Sequence, residues 1–144
     1  MSDIKRFSLV KPTTETPFHI DFDWWKQQEK NWRVFLTGYL CPEHQTAYSE
    51  AAESAWIDWV DPITAEVRSV DGLQHTLITH CAKQPDFVNL NTSLVDSIFR
   101  ILLAHGNNAL SASQFGEITG RPAETILRTL SGSVVYKGIR PFQS

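Results

Sequence analysis

The apolar positions from residue 94 to residue 103 are spaced too densely for a surface helix. They are Leu94, Val95, Ile98, Phe99, Ile101, Leu102 and Leu103. A helix at the surface keeps one face polar and therefore shows a narrower apolar stripe. The pattern predicts the central helix of a C-terminal bundle, capped by Asn91 or Thr92 and ending at Gly106.

Aromatic and aliphatic residues after Asp23 recur at helical spacing, which predicts one helix from that cap to about Leu40. The residues on its apolar side are Trp25, Trp32, Phe35, Leu36 and Tyr39. Such residues usually fill a core, but aromatic residues are also frequent in binding surfaces, and both interpretations stay open. Trp24 lies one step off this stripe, so it is the candidate for a contact with a partner.

Turn signals divide the middle of the chain into short elements. Pro42 suits the first turn of one helix, and Asp71 suits the cap of another that runs to about Lys83. Between these helices, two alternating stretches at 56–60 and 66–70 flank a proline turn. This arrangement predicts a small β-hairpin.

The first residues of the chain differ from the rest because they show no apolar period. Residues 1–17 include two prolines, so we expect an extended arm there, followed by a short strand from Phe18 to Phe22. We therefore predict a mainly α protein. It has a helical region with the β-hairpin at 18–90 and a separate unit at 91–144.

The C-terminal third contains a helix, a tight turn and a second helix. Ser111 with Gln114 three residues later has the form of a capping box, and Gly120 suits the left-handed end of that helix. Pro122 suits the first turn of the next helix, whose apolar stripe contains Ala123, Ile126, Leu127 and Leu130. A strand over 134–136, a turn and a return strand then predict a short basic hairpin.

This succession of helix, turn, helix and basic hairpin resembles a winged helix-turn-helix domain. In that family the second helix enters the major groove of DNA and the wing contacts the flanking backbone. The resemblance implies a DNA-binding regulator that acts as a homodimer on double-stranded DNA. The residues that it assigns to DNA contact are Arg121, Glu124, Thr125, Arg128, Lys137 and Arg140.

Winged helices also serve as docking modules, so a second hypothesis is a non-enzymatic adaptor or assembly subunit that binds protein. The charge of the chain bears on this choice. The net charge is −3 over the whole chain, but residues 1–90 carry 8 cationic and 13 acidic side chains, whereas residues 91–144 carry 5 and 3. Four outward-facing cations would favour DNA binding. Cations that scatter or pair with carboxylates would favour the adaptor.

Cysteines and histidines provide the second candidate site. Cys41 and His44 have the spacing of half a zinc site, and the other half could come from His75, His80 and Cys81, which are of the types that tetrahedral zinc prefers. The candidate set is Cys41, His44, His80 and Cys81. On a continuous helix, however, His75 and His80 diverge by about 140° and His80 and Cys81 by about 100°. The alternative is that no metal is bound and the thiols are small buried groups.

Other classes of function find little support in the sequence. The chain has no phosphate loop, nucleophile elbow or Gly-x-Gly-x-x-Gly motif, so we do not expect an enzyme. It also has no apolar run of membrane-spanning length and no apolar core of a signal peptide near its start. A cytoplasmic protein is therefore the expectation.

Overall fold

The computed structural model describes residues 11–49, 56–60 and 62–142. Within these ranges the chain forms α-helices, one short 3-10 helix (Cys81–Lys83) and two antiparallel sheets, which confirms the mainly α prediction. The helices are α1 (Phe22–Gln28), α2 (Trp32–Thr37), α3 (Pro42–Ser49), α4 (Gly72–Thr79), α5 (Leu94–Ala104), α6 (Ala112–Thr119) and α7 (Ala123–Leu130). The strands are β1 (Pro17–Ile20), β2 (Trp56–Val60), β3 (Val67–Asp71), β4 (Leu110–Ser111) and β5 (Ile139–Pro141). None of the described helices combines the length and apolar character needed to cross a membrane.

Helix α5 lies at the centre of the core, as its dense apolar pattern predicts. Phe99 is fully buried, and its ring lies 5.8 Å from that of Trp25 and 4.9 Å from that of Tyr39, measured between centroids. The cap is Ser93, whose hydroxyl accepts a hydrogen bond from the Asp96 amide, so the prediction of Asn91 or Thr92 is wrong by one or two residues. The contacts of Phe99 join the two predicted halves of the chain.

The three-stranded sheet also connects distant parts of the chain. Strand β1 lies between β4 and β5, and Phe18 is paired with Leu110 on one side and with Pro141 on the other. The strand predicted at 18–22 therefore exists, but it is the central strand of a sheet whose other strands belong to the C-terminal third. The arm predicted for 1–17 falls largely on residues 1–10, which lie outside the described residues.

The single helix predicted from Asp23 to about Leu40 is wrong, because the chain breaks after α1. Glu29 is extended there, with φ −127° and ψ 109°, and α2 starts three residues later. The cap of α1 is Asp21, whose carboxylate accepts a hydrogen bond from the Trp24 amide, and not Asp23. Both short helices bury an apolar residue, since Trp25 is 5% exposed and Leu36 is fully buried.

The β-hairpin and the helix after it agree better with the sequence. Strands β2 and β3 pair in antiparallel register, with Val60 opposite Val67 next to the turn. Asp71 caps α4 by accepting a hydrogen bond from the Gln74 amide, and it also pairs with the guanidinium of Arg33. Helix α4 ends at Thr79, earlier than predicted, and the 3-10 helix continues the chain.

The two helices and the turn predicted between residues 111 and 130 are present. Ser111 and Gln114 form a reciprocal capping box, and Gly120 is left-handed with φ 76°. A Cβ atom on Gly116 would lie 2.9 Å from the carbonyl oxygen of Arg121, so α6 and the turn approach closely. Ile126 of α7 is fully buried. Helices α6 and α7 therefore pack against each other.

The predicted wing is wrong, because residues 134–136 form no strand. The return strand exists as β5, but it pairs with β1 instead of with a neighbouring strand. Lys137 and Gly138 both have positive φ, 50° and 75°, and they turn the chain sharply before β5. The Gly138 carbonyl accepts a hydrogen bond of 2.7 Å from the Asp21 amide, which fixes this turn against the start of α1.

Candidate metal centre and C-terminal surface

The structure brings together the side chains of Cys41, His44, His80 and Cys81, which we call the metal centre. The Sγ atoms of Cys41 and Cys81 lie 3.4 Å apart. Nδ1 of His44 lies 3.2 Å from the Cys41 sulfur and 3.6 Å from the Cys81 sulfur. The rings of His44 and His80 have centroids 4.6 Å apart, and the ligand atoms of Cys41, His44 and His80 all lie within 4.8 Å of one another.

The first half of the metal centre is built by the start of α3. The amides of His44 and Gln45 both donate to the Cys41 carbonyl, at 3.0 and 2.9 Å. Residues three apart in a helical turn lie on the same side, so this turn aims His44 towards the cysteine sulfur. The side-chain amide of Gln45 also donates to the Leu40 carbonyl, which holds the turn at its entrance.

The second half depends on the break between α4 and the 3-10 helix. His80 ends α4 with φ −121° and ψ −62°, and Cys81 begins the 3-10 helix. The chain is therefore not a continuous helix here, but the ligand atoms that lie within 4.8 Å of one another still include His80 and not Cys81. His75 lies one turn earlier on α4 and lines a different cavity, next to Asp23 and Lys26.

The distances among Cys41, His44 and Cys81 are compatible with the dimensions of a zinc site. Zinc–sulfur bonds of about 2.3 Å and zinc–nitrogen bonds of about 2.0 Å imply S···S and S···N separations of about 3.8 and 3.6 Å. The observed values of 3.4, 3.2 and 3.6 Å lie within about 0.4 Å of these separations. Thiolates and imidazoles bind zinc in preference to magnesium or calcium, which take oxygen ligands.

Burial at this site disfavours a free thiolate. Cys81 is fully buried, and this burial raises the pKa of its thiol to about 11. A bound divalent cation removes the penalty because it stabilises the thiolate directly. Cys41 is only partly buried, so the site has one ligand in the core and one near the surface.

Four of the residues that the winged-helix resemblance assigns to DNA contact lie on one exposed face. Arg121, Glu124, Thr125 and Arg128 are exposed, whereas Ile126 on the opposite side of α7 is fully buried. These polar residues therefore lie on the solvent side of α7 and of the turn before it. The distribution follows the helical period that the sequence shows.

Lys137 and Arg140 are bound within the molecule instead of extending from a wing. The Lys137 ammonium donates to the Tyr39 hydroxyl and lies 3.7 Å from Oδ1 of Asp96. The Arg140 guanidinium donates to Oδ2 of Asp21 at 3.0 Å and lies over the Trp24 ring. Trp24, which the sequence suggests as a contact for a partner, thus packs against Arg140 of the same chain. Both cations are paired with carboxylates.

A groove beside these pairs was not expected from the sequence. It has a volume of about 310 Å³ and is lined by Trp24, Trp25, Gln28, Glu29, Phe35, Val135, Tyr136 and Lys137; we call it the apolar groove. Phe35 is 46% exposed and Val134, next to the lining residues, is 56% exposed. The sequence places Phe35 on a core stripe and residues 134–136 in a wing strand. The available signal was the apolar run at 134–136, which here lies in irregular chain.

Comparisons with protein-family models, with curated proteins and with solved structures found no match for this chain.

Proposed function

We propose that this protein is a non-enzymatic adaptor that binds zinc at the metal centre and docks on a partner protein through the apolar groove. The partner inserts an apolar side chain between Phe35 on α2 and Tyr136 on the segment after α7. Gln28 and Glu29 form the polar rim that fixes its backbone. The docking surface therefore combines α1 and α2 with the segment that follows the helix-turn-helix.

The exposed apolar lining of the groove is the observation that carries this proposal. Large apolar side chains that cluster in a concave surface, with polar residues around them, are typical of sites that bind another protein. Phe35, Val135 and Tyr136 are all more than a third exposed, and they line the same groove. Their exposure costs free energy in the isolated chain, and this cost is recovered when a partner covers them.

The pairing of Lys137 and Arg140 also supports the adaptor over DNA binding. A cation that already contacts a carboxylate must lose that partner before it can reach a phosphate. Lys137 contacts Tyr39 and Asp96, and Arg140 contacts Asp21. Pairing of cations with carboxylates is the arrangement that favours the adaptor, and two of the four cations show it.

Zinc in this proposal has a structural role. If Cys41, His44, His80 and Cys81 all bind the ion, the site leaves no open position for water or substrate, which is the difference between structural and catalytic zinc. The ion would connect α3 to the 3-10 helix, two elements that the β-hairpin separates in the sequence. The 3-10 helix in turn contacts α5, where the Lys83 ammonium donates to the Ala104 carbonyl at 2.8 Å.

The test uses a partner first identified with the wild-type chain and then purified, so that its affinity can be measured by titration calorimetry. Val135→Asp places a charge in the groove, and we expect it to weaken binding by about 10-fold or more. Leu90→Asp is the matched control, because Leu90 is 46% exposed and does not line the groove. Equal affinities for both variants, with thermal unfolding unchanged, would exclude the groove as the docking site.

A second candidate function is the binding of double-stranded DNA by a homodimer, and the exposed face of α7 favours it. This face can approach the major groove of DNA without the loss of any hydrogen bond described above. Its residues are Arg121, Thr125 and Arg128. Binding to a duplex should then fall log-linearly with salt concentration, and Arg128→Ala should flatten the slope by about one unit. Glu117→Ala, on an exposed position of α6, is the control for a change in net charge. The absence of salt-dependent duplex binding would leave the adaptor alone.

A further inference from the structure

We infer that the metal centre is also a redox-controlled site, at which a hydroperoxide oxidises Cys41 and Cys81 to a disulfide and zinc is released. This inference rests on the zinc site proposed above. It adds a regulatory property to that site, because the same two sulfur atoms serve either as metal ligands or as a covalent bond.

The distance between the two sulfur atoms makes the disulfide accessible. They lie 3.4 Å apart, and a disulfide bond is about 2.05 Å long, so they need to approach by only about 1.4 Å. The cysteines are 40 residues apart, and they come from the start of α3 and the start of the 3-10 helix. These are short elements at chain junctions, where small backbone shifts are easier than inside a long helix.

The exposure of the two cysteines determines which of them meets the oxidant. Cys41 is partly exposed and Cys81 is fully buried. A small peroxide from solvent therefore reaches Cys41 first, and Cys81 acts as the resolving residue because it is already in contact with the Cys41 sulfur. This division of roles follows from burial and contact.

The reaction balances with hydrogen peroxide as the oxidant. The Cys41 thiolate attacks one oxygen, the O–O bond breaks, and a sulfenic acid and hydroxide form. The Cys81 thiolate then attacks the Cys41 sulfur, the S–O bond breaks, and a second hydroxide leaves. Two sulfur atoms lose two electrons to the peroxide, and two protons from solvent convert both hydroxides to water.

Zinc is lost in this reaction because its ligand set is halved. The sulfur atoms of a disulfide carry no negative charge and are poor ligands, so that only His44 and His80 remain. The disulfide still connects α3 to the 3-10 helix, so the fold keeps a crosslink at the same position. The two imidazoles, whose rings lie 4.6 Å apart, change from zinc ligands to free side chains.

The experiment treats the zinc-loaded full-length chain with equimolar hydrogen peroxide. A chromogenic chelator follows zinc release, and intact mass spectrometry detects the loss of two hydrogen atoms. Because the chain has two cysteines, an internal disulfide can only join Cys41 to Cys81. We expect loss of nearly all bound zinc, formation of this disulfide, and recovery of zinc binding after reduction with a dithiol.

Cys81→Ser provides the control, since it leaves the exposed thiol without its resolving partner. Peroxide should then add oxygen to Cys41 instead of removing hydrogen from the chain. Zinc retained by the wild-type chain under peroxide, or sulfinic acid formed without a disulfide, overturns the inference. Zinc content is measured before peroxide is added. A wild-type chain that binds no zinc refutes the proposed metal site, whereas a zinc-bound chain that forms no disulfide refutes only the redox inference.

Discussion

The side-chain amide of Asn107 forms two hydrogen bonds with the backbone of Ile20. Its oxygen accepts from the Ile20 amide and its nitrogen donates to the Ile20 carbonyl, both at 2.8 Å. Asn107 follows α5 and has φ 61°, a conformation that asparagine tolerates better than most residues. One side chain thus connects the loop after α5 to the central strand of the three-stranded sheet.

We expect Asn107→Ala to destabilise the protein by about 2–3 kcal/mol. The substitution removes both hydrogen bonds to β1 and places alanine in a left-handed conformation. Asn108→Ala is the matched control, because Asn108 makes an exposed hydrogen bond to the His105 carbonyl. Urea denaturation should show a lower midpoint for the first variant and little change for the second. Equal midpoints would contradict the role assigned to Asn107.

A second prediction concerns the stability of the protein at low pH. Burial alone would raise the pKa of Asp96, but hydrogen bonds from Tyr39 and Arg100 hold it below its usual value of 3.8. A carboxyl group with a lowered pKa in the folded state stabilises the protein above 3.8, and this contribution is lost as the pH falls through the folded-state pKa. We therefore expect wild type to lose stability below about pH 4, and Asp96→Asn to show a smaller loss in the same range.

The measurement for this prediction is the free energy of unfolding in urea at a series of pH values. Asp86→Asn serves as the control, because Asp86 is exposed. It should retain the wild-type pH dependence. If Asp96→Asn and wild type lose stability in parallel below pH 4, the carboxylate of Asp96 does not have the role described here.

A third prediction concerns metal content. We expect the purified chain to contain one zinc ion, and His44→Gln to weaken zinc affinity by about 100-fold because it removes a ligand that lies within 4.8 Å of those of Cys41 and His80. His75→Gln is the control, since His75 lies on α4 outside the metal centre. Elemental analysis and competition with a chelator measure both effects. Retention of zinc by His44→Gln with wild-type affinity would exclude this set of ligands.

A fourth prediction compares two glycines with similar backbone conformation. Gly138 and Gly120 have φ 75° and 76°, but a Cβ on Gly138 would lie 2.9 Å from Cβ of Trp25, whereas a Cβ on Gly120 meets no atom within 4 Å. Gly120→Ala should cost about 1 kcal/mol for the left-handed backbone alone. Gly138→Ala should cost about 3 kcal/mol or more, because the contact with Trp25 adds to the same backbone cost. Equal costs in thermal unfolding would contradict the close packing of this turn.

Local features of the fold were predictable because neighbouring residues determine them. The capping box of Ser111 and Gln114, the left-handed Gly120 and the cap at Asp71 all satisfy backbone groups within four residues. The β-hairpin was predictable for the same reason, since its strands are adjacent in sequence. These elements agree with the sequence almost residue by residue.

Long-range pairing was not predictable, and it accounts for the wrong wing. A hairpin is the simplest interpretation of two short extended segments around a turn. Here β5 pairs with β1, about 120 residues earlier in the chain, and no local pattern encodes that choice. The break at Glu29 had no glycine or proline to mark it either.

The residues of the metal centre were predictable from their types, but their arrangement in space was not. The residue types were evident, but a continuous helix to Lys83 separates His80 from Cys81 in direction. The actual chain leaves the α-helical conformation at His80; the Cys81 sulfur lies next to the Cys41 sulfur, and the His80 ring lies next to the His44 ring. Sequence patterns contain ligand types and spacing, but they do not contain the dihedral angles of one junction residue.

The central position of β1 has a practical consequence for work on the helix-turn-helix. Strands β4 and β5 do not pair with each other, and each depends on the residues at 17–20 for its hydrogen bonds. A fragment cut at residue 91 would therefore leave β4 and β5 without the strand that pairs with both of them. A shortened chain intended for binding assays needs the segment 17–20 rejoined, for instance by a linker after residue 142.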